Sequence, residues 1–149
     1  MSDQKEFSND GACSGDTIQV LKGQHVDLKN KLKEISDEIK KSRSDFGDIP
    51  DKLRKFNIEL ANHAEFENCA FYQPLLKKME GQGFDIDDIK EFIAEMTKLL
   101  NVVKDFTQRY DKAEMIQNDT ASFSSDLSAA MAELETRIVA EEDGVFIYW

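Results

Sequence analysis

The fold is decided by the stretch Leu53-Arg-Lys-Phe-Asn-Ile-Glu-Leu-Ala-Asn-His-Ala-Glu-Phe-Glu-Asn-Cys-Ala-Phe71. Leu53, Phe56, Leu60, Ala70 and Phe71 fall on one side of a helix, and the stripe positions between them are His63 and Glu67. A helix that turns an imidazole and a carboxylate toward the same interior as its leucines must meet something polar there, because an unpaired buried carboxylate is strongly destabilising.

Outward from this stretch, Pro50 suits the first turn of the helix, where its fixed φ and missing N–H do least harm. The helix is predicted to run to about Glu80, ahead of a Gly81-Gln-Gly83 turn. Upstream, Ile18, Leu21, Leu28, Leu32, Ile35 and Ile39 predict a helix from the N-cap residue Asp16 to about Ser42, with His25 filling the one gap in its stripe. Downstream, Ile89, Ile93, Met96, Leu100, Val103, Phe106 and Tyr110 predict a third helix over about Ile86 to Ile116, apolar throughout its inner face. After the turn residues Gln117-Asn-Asp-Thr120, a fourth is marked by Phe123, Leu127, Ala130, Leu134, Ile138, Glu141 and Val145, with Gly144 ending or weakening it. No stretch reads as a strand. Short connections then predict an all-α, up-down-up-down four-helix bundle over residues 15–149, preceded by a polar tail, 1–14, too poor in apolar groups to order. Tyr148 and Trp149 would cover the bundle's end or form an exposed contact.

A chain of 149 residues suits one domain. Its 30 acidic and 19 basic residues give a net charge of −11, which repels a phosphate backbone and argues against nucleic acid. No apolar run approaches the roughly 20 residues a membrane span needs, and the N-terminus has no leader pattern, so a cytoplasmic protein without a membrane role is expected. The two cysteines form no disulfide framework; Cys69 reads as a small core residue, while Cys13 has no structural context.

The second and fourth helices overlay at an offset of 74 residues (134 − 60), pairing Leu60 with Leu134, His63 with Arg137, Glu67 with Glu141, Phe71 with Val145 and Tyr72 with Phe146. The shared grammar of amphipathic helices explains the leucines. It does not explain an inward carboxylate in both copies.

His63 and Glu67 stand four apart, so they project from one helical face one turn from each other, a chelating arrangement. With His25 from a facing helix they form a donor set suited to iron, zinc or manganese. Glu141 or Glu142 would add another oxygen, with Glu95 a weaker candidate on the third helix. The competing explanation makes each histidine a hydrogen-bonded core residue. Glu65, Glu91, Glu135 and Glu142 are by default solvated charges, and Met96, Met115 and Met131 are by default packing. No Glu-x-x-His, glycine-rich phosphate loop or exposed histidine is apparent, and nothing favours a catalytic nucleophile.

The first helix with its central histidine, His63-Ala-Glu-Phe-Glu-Asn-Cys-Ala-Phe-Tyr-Gln-Pro-Leu75 and Leu134-Glu-Thr-Arg-Ile-Val-Ala-Glu-Glu-Asp-Gly-Val-Phe146 together resemble the hemerythrin-like, or HHE cation-binding, domains over about Asp16 to Trp149. The resemblance implies non-haem iron, with His25, His63 and Glu67, and Glu141 or Glu142, as ligands, and a binding or sensing role. The chain departs from the family's full set of five histidines and two carboxylates: it has two histidines, places Phe92, Ile93, Met96 and Leu99 where the third helix should supply one, and carries Arg137 on the fourth. A mononuclear or incomplete di-iron site is therefore the expectation, and reversible O₂ binding is not. The alternative is a metal-free structural or protein-interaction bundle, in which Arg137 lies against Glu67 or Glu141 in place of the metal's charge and the acidic surface meets a basic partner. Neutral imidazole ligands would release a metal below about pH 6.

Overall fold

The computed structural model describes residues 15–41 and 46–148. The expected tail 1–14, with Cys13, and the side chains of Tyr148 and Trp149 lie outside the described residues. Helix α1 spans Gly15–Lys41. Asp16 sits in its first turn, where a negative charge favours the exposed N–H groups of the helix start. Helix α2 spans Ile49–Glu67, with Pro50 in the first turn. It continues through a π-helical turn, Asn68–Tyr72, into α3, Gln73–Gly81, with right-handed helical dihedrals at both junctions. Gly83, at φ 84°, makes the turn that follows; a side chain would be strained in that backbone conformation.

The third expected helix is shorter than its periodicity suggests. Helix α4 spans Asp87–Arg109, and a separate turn of helix, α5, spans Ala113–Asn118. The break falls at Tyr110, whose ring packs edge-on against Phe123 at 4.9 Å while its hydroxyl donates to Asp126 at 3.1 Å. Redirecting the chain there carries Ile116 into full burial, which a straight helix would not do. Along α4 the inward residues are Ile89, Met96, Leu99, Val103 and Phe106; Leu99 takes the place expected of Leu100, and Ile93 is half-buried. Helix α6, Thr120–Ala140, is capped by Asp119, whose carboxylate accepts from the Ser122 N–H at 3.1 Å. It too runs into a π-helical turn, Glu141–Val145, and ends in a 3₁₀ turn, Phe146–Tyr148, so Gly144 lies within helical structure.

Helices α1, α2, α4 and α6 each pack on the next, and α6 closes on α1, giving the up-down-up-down bundle. Its apolar interior is divided. One cluster includes Leu28, Leu32, Leu53, Phe56, Leu60, Phe106, Phe123 and Leu134. The other includes Leu21, Phe71, Leu75, Met79, Val145 and Phe146. Between them on three helices lies a polar layer: His25 separates Leu21 from Leu28, His63 and Glu67 separate Leu60 from Phe71, and Arg137 and Glu141 precede Val145. Two expectations for the interior fail: Cys69 lies on the outer side of the π-helical turn and is exposed, and Met115, on the short α5, is 46% exposed.

Candidate metal centre

Four of the five expected ligands meet in this layer. Nitrogen atoms of His25 and His63 and carboxylate oxygens of Glu67 and Glu141 all lie within 4.8 Å of one another, and all four side chains are buried. His63 and Glu67 arrive together because they are one turn apart on α2, with His63 Nε2 3.4 Å from Glu67 Oε2. His25 approaches from α1, its Nε2 2.9 Å from Glu141 Oε1 and 3.9 Å from Glu67 Oε2. The 2.9 Å approach is short but misaligned for hydrogen bonding, and His25 Nε2 and Glu67 Oε2 are buried without hydrogen-bond partners.

The other ring nitrogens are occupied. His25 Nδ1 lies 2.7 Å from Glu142 Oε2, and His63 Nδ1 lies 2.6 Å from Gln24 Oε1. Both partners are acceptors in these contacts, so each imidazole carries its proton on Nδ1 and turns the Nε2 lone pair inward when neutral. Glu142 therefore stands behind His25, half-buried, rather than among the four converging donors. Gln24 carried no signal in the sequence reading: one residue before His25, it faces α2 from the flank of α1's stripe. Glu65, Glu91, Glu95 and Glu135 are exposed, and Glu95 is no part of the cluster.

The charges in this layer depend on one another. Burial and the neighbouring Glu141 carboxylate push the Glu67 carboxyl well above its ordinary range, so it holds a proton. Glu141 is held well below it: burial opposes ionisation, but Glu67, His25, Arg137 and Tyr72 together outweigh burial. Burial would also strip His25 of its charge, yet Glu141 and Glu142 raise it above the ordinary histidine value. His63 is lowered to about 4 by burial and by the neighbouring His25 charge. Burial and the Glu141 charge keep Tyr72 protonated, and its hydroxyl donates to Glu141 Oε2 at 2.7 Å. Arg137 enters from α6. Its Nη1 donates to the Phe92 carbonyl at 2.8 Å, its Nη2 lies 3.5 Å from Glu141 Oε2 and 4.0 Å from Glu67 Oε1, and its guanidinium lies 4.2 Å from the Phe92 ring centre.

A family model for the hemerythrin HHE cation binding domain matches residues 16–148, nearly all of the described chain. The chain belongs to that family. No curated protein and no solved structure matches it. In this HHE domain the inward-facing residues of α1, α2 and α6 supply the polar layer, whereas α4 offers Phe92, Ile93 and Met96. Four donors, two of them buried without partners, suit a divalent cation bound by nitrogen and oxygen. A groove of about 330 Å³ between α2 and α4 reaches Glu67, Tyr72 and Arg137 past Ala61, Ala64 and Met96 and offers a way in.

Proposed function

We propose that this HHE domain is a metal-binding module, a binding or sensing domain rather than a catalyst, with the metal held by Nε2 of His25, Nε2 of His63, and the carboxylates of Glu67 and Glu141. The observation that carries the reading is the convergence of these four buried donors within 4.8 Å, including two atoms no protein group satisfies. Two imidazoles with carboxylate oxygens favour iron, and zinc and manganese accept the same set. A bound iron would supply Lewis acidity and a redox couple in a water-poor layer. The chain's own residues do the rest: Glu142 and Gln24 fix the ring orientations from behind, and Tyr72 fixes one oxygen of Glu141. Two cysteines without a disulfide framework in the sequence make a reducing cytoplasm the setting we infer.

Plasma mass spectrometry of protein purified without chelator tests the reading, with anaerobic ferrous loading and the Glu67→Ala variant alongside. Stoichiometric metal in the parent protein, lost in the variant, is the expected result. No bound metal in either, even after loading, would reject it. A second reading, a metal-free structural or protein-interaction bundle, is favoured by one observation: Arg137 already places a permanent cation between Glu67 and Glu141.

A further inference from the structure

We propose that Glu67 and Glu141 frame two cation positions, that Arg137 fills one of them, and that this residue limits the domain to one metal ion per chain. The inference rests on the metal-binding reading above and adds what sets the number of ions. Each carboxylate divides its oxygens between two sides of the layer. Glu67 turns Oε2 toward His63 and His25, at 3.4 and 3.9 Å, and Oε1 toward Arg137 at 4.0 Å. Glu141 turns Oε1 toward His25 at 2.9 Å and Oε2 toward Arg137 at 3.5 Å. Two carboxylates shared in this way bridge a pair of cations, which in two-metal sites stand about 3.5–4 Å apart.

On the imidazole side the donors are groups that hold a metal ion once His25 Nε2 and Glu67 have given up their protons. On the other side the cation is built in. A guanidinium has no lone pair to offer a metal and keeps its charge at every physiological pH, so it fills this position permanently. The Phe92 carbonyl and ring hold it in place, and the Tyr72 hydroxyl takes up the remaining demand of Glu141 Oε2. The 74-residue echo (137 − 63) matches Arg137 to His63, so an imidazole at position 137 would arrive one turn before Glu141, as His63 does before Glu67. On α4, Phe92, Ile93 and Met96 lie toward the layer, while its ionisable Glu95 and Lys98 are exposed to solvent along an outer groove that reaches Arg137.

The test compares the parent protein with Arg137→His and Arg137→Lys, each stripped with chelator, loaded anaerobically with excess Mn²⁺, freed of unbound ion by gel filtration and measured by plasma mass spectrometry. The content is expected to be about one ion per chain in the parent and in Arg137→Lys, and about two in Arg137→His. Two ions in the parent, or one in a folded Arg137→His, would overturn the role given to Arg137 while leaving metal binding intact. No ion in the parent would overturn the metal-binding reading and this inference with it. Should circular dichroism show Arg137→His unfolded, electron paramagnetic resonance of the Mn²⁺-loaded parent decides: an isolated-ion spectrum supports the inference, and that of a spin-coupled pair refutes it.

Discussion

Glu67 and Glu141 occupy equivalent places in the two halves of the echo, yet replacing each by glutamine should have opposite consequences for the metal-free protein. Glu67 keeps its proton in the fold, so Glu67→Gln substitutes one neutral group for another of nearly the same shape. Because its folded pKa is raised, the fold retains a proton that the unfolded chain gives up above about pH 4.5, and this costs stability increasingly as pH rises. Glutamine removes that cost. Stability at pH 6 should stay within about 1 kcal/mol of the parent, with the variant gaining ground toward pH 8. Glu141 is ionised and faces Arg137 at 3.5 Å and protonated His25 at 2.9 Å. Removing one partner of a buried ion pair costs about 3–5 kcal/mol, so Glu141→Gln should melt about 10–15 °C lower in a domain of this size. The depressed pKa of Glu141 contributes stability above about pH 4.5 that is lost as pH falls toward the folded value, so the deficit should shrink in acid. Thermal unfolding of chelator-treated proteins, followed by circular dichroism from pH 3 to 8, measures both. Equal losses, or a larger loss for Glu67→Gln, would refute the assignment of the shared proton to Glu67.

Four further outcomes are expected. Nitrogen-resolved NMR of the metal-free protein at pH 6 should show His25 doubly protonated and His63 neutral with its proton on Nδ1; the proton His63 refuses makes the fold lose about 3 kcal/mol between pH 6.5 and about 4, and two rings titrating together near 6.5 would contradict this. Metal added at pH 6 should release about two protons, from His25 and Glu67, so acid expels the metal through those groups before His63 titrates; calorimetry in buffers of differing ionisation enthalpy counts them, and no release would exclude exchange at these residues. Gln24→Ala should weaken metal affinity about 10–100-fold by freeing the His63 ring, read by competition with a chromophoric chelator; unchanged affinity would show that the 2.6 Å contact does not hold the ligand. Asp119→Ala should cost about 1 kcal/mol by removing the cap of α6, measured by urea unfolding; no loss would mean that another group satisfies the Ser122 N–H.

The bundle was legible because long stripes on four segments carry the same periodicity, and the positions of His25, His63, Glu67 and Glu141 followed from the same stripes. The third helix is shorter than expected although no glycine or proline lies between Tyr110 and Ile116; the turn there depends on Tyr110 meeting Phe123 and Asp126, a contact between segments that periodicity does not encode. Cys69 fails as a core residue for a reason helical spacing already holds: it follows the inward Glu67 by two residues, about 200° round the helix, and so faces outward. Gln24 and the different place of Glu142 depend on which ring nitrogen faces inward, and residue spacing holds no information about that. Arg137 was visible as a cation on the wrong stripe, but its division between two carboxylates required distances.

Charge accounting explains how one fold can serve both readings. Without metal, the positive charges of His25 and Arg137 balance Glu141 and Glu142, while Glu67 and His63 are neutral. With a divalent ion in place and the protons of His25 Nε2 and Glu67 gone, two metal charges and Arg137 balance Glu67, Glu141 and Glu142. Both states sum to zero, so the buried layer exchanges two protons for one divalent ion without acquiring net charge in a medium that penalises it. Arginine fixes this balance because it contributes one charge that neither pH nor metal supply can remove. A neutral residue at position 137 would leave both forms one positive charge short, and the layer would then have to protonate a further carboxylate or give up stability.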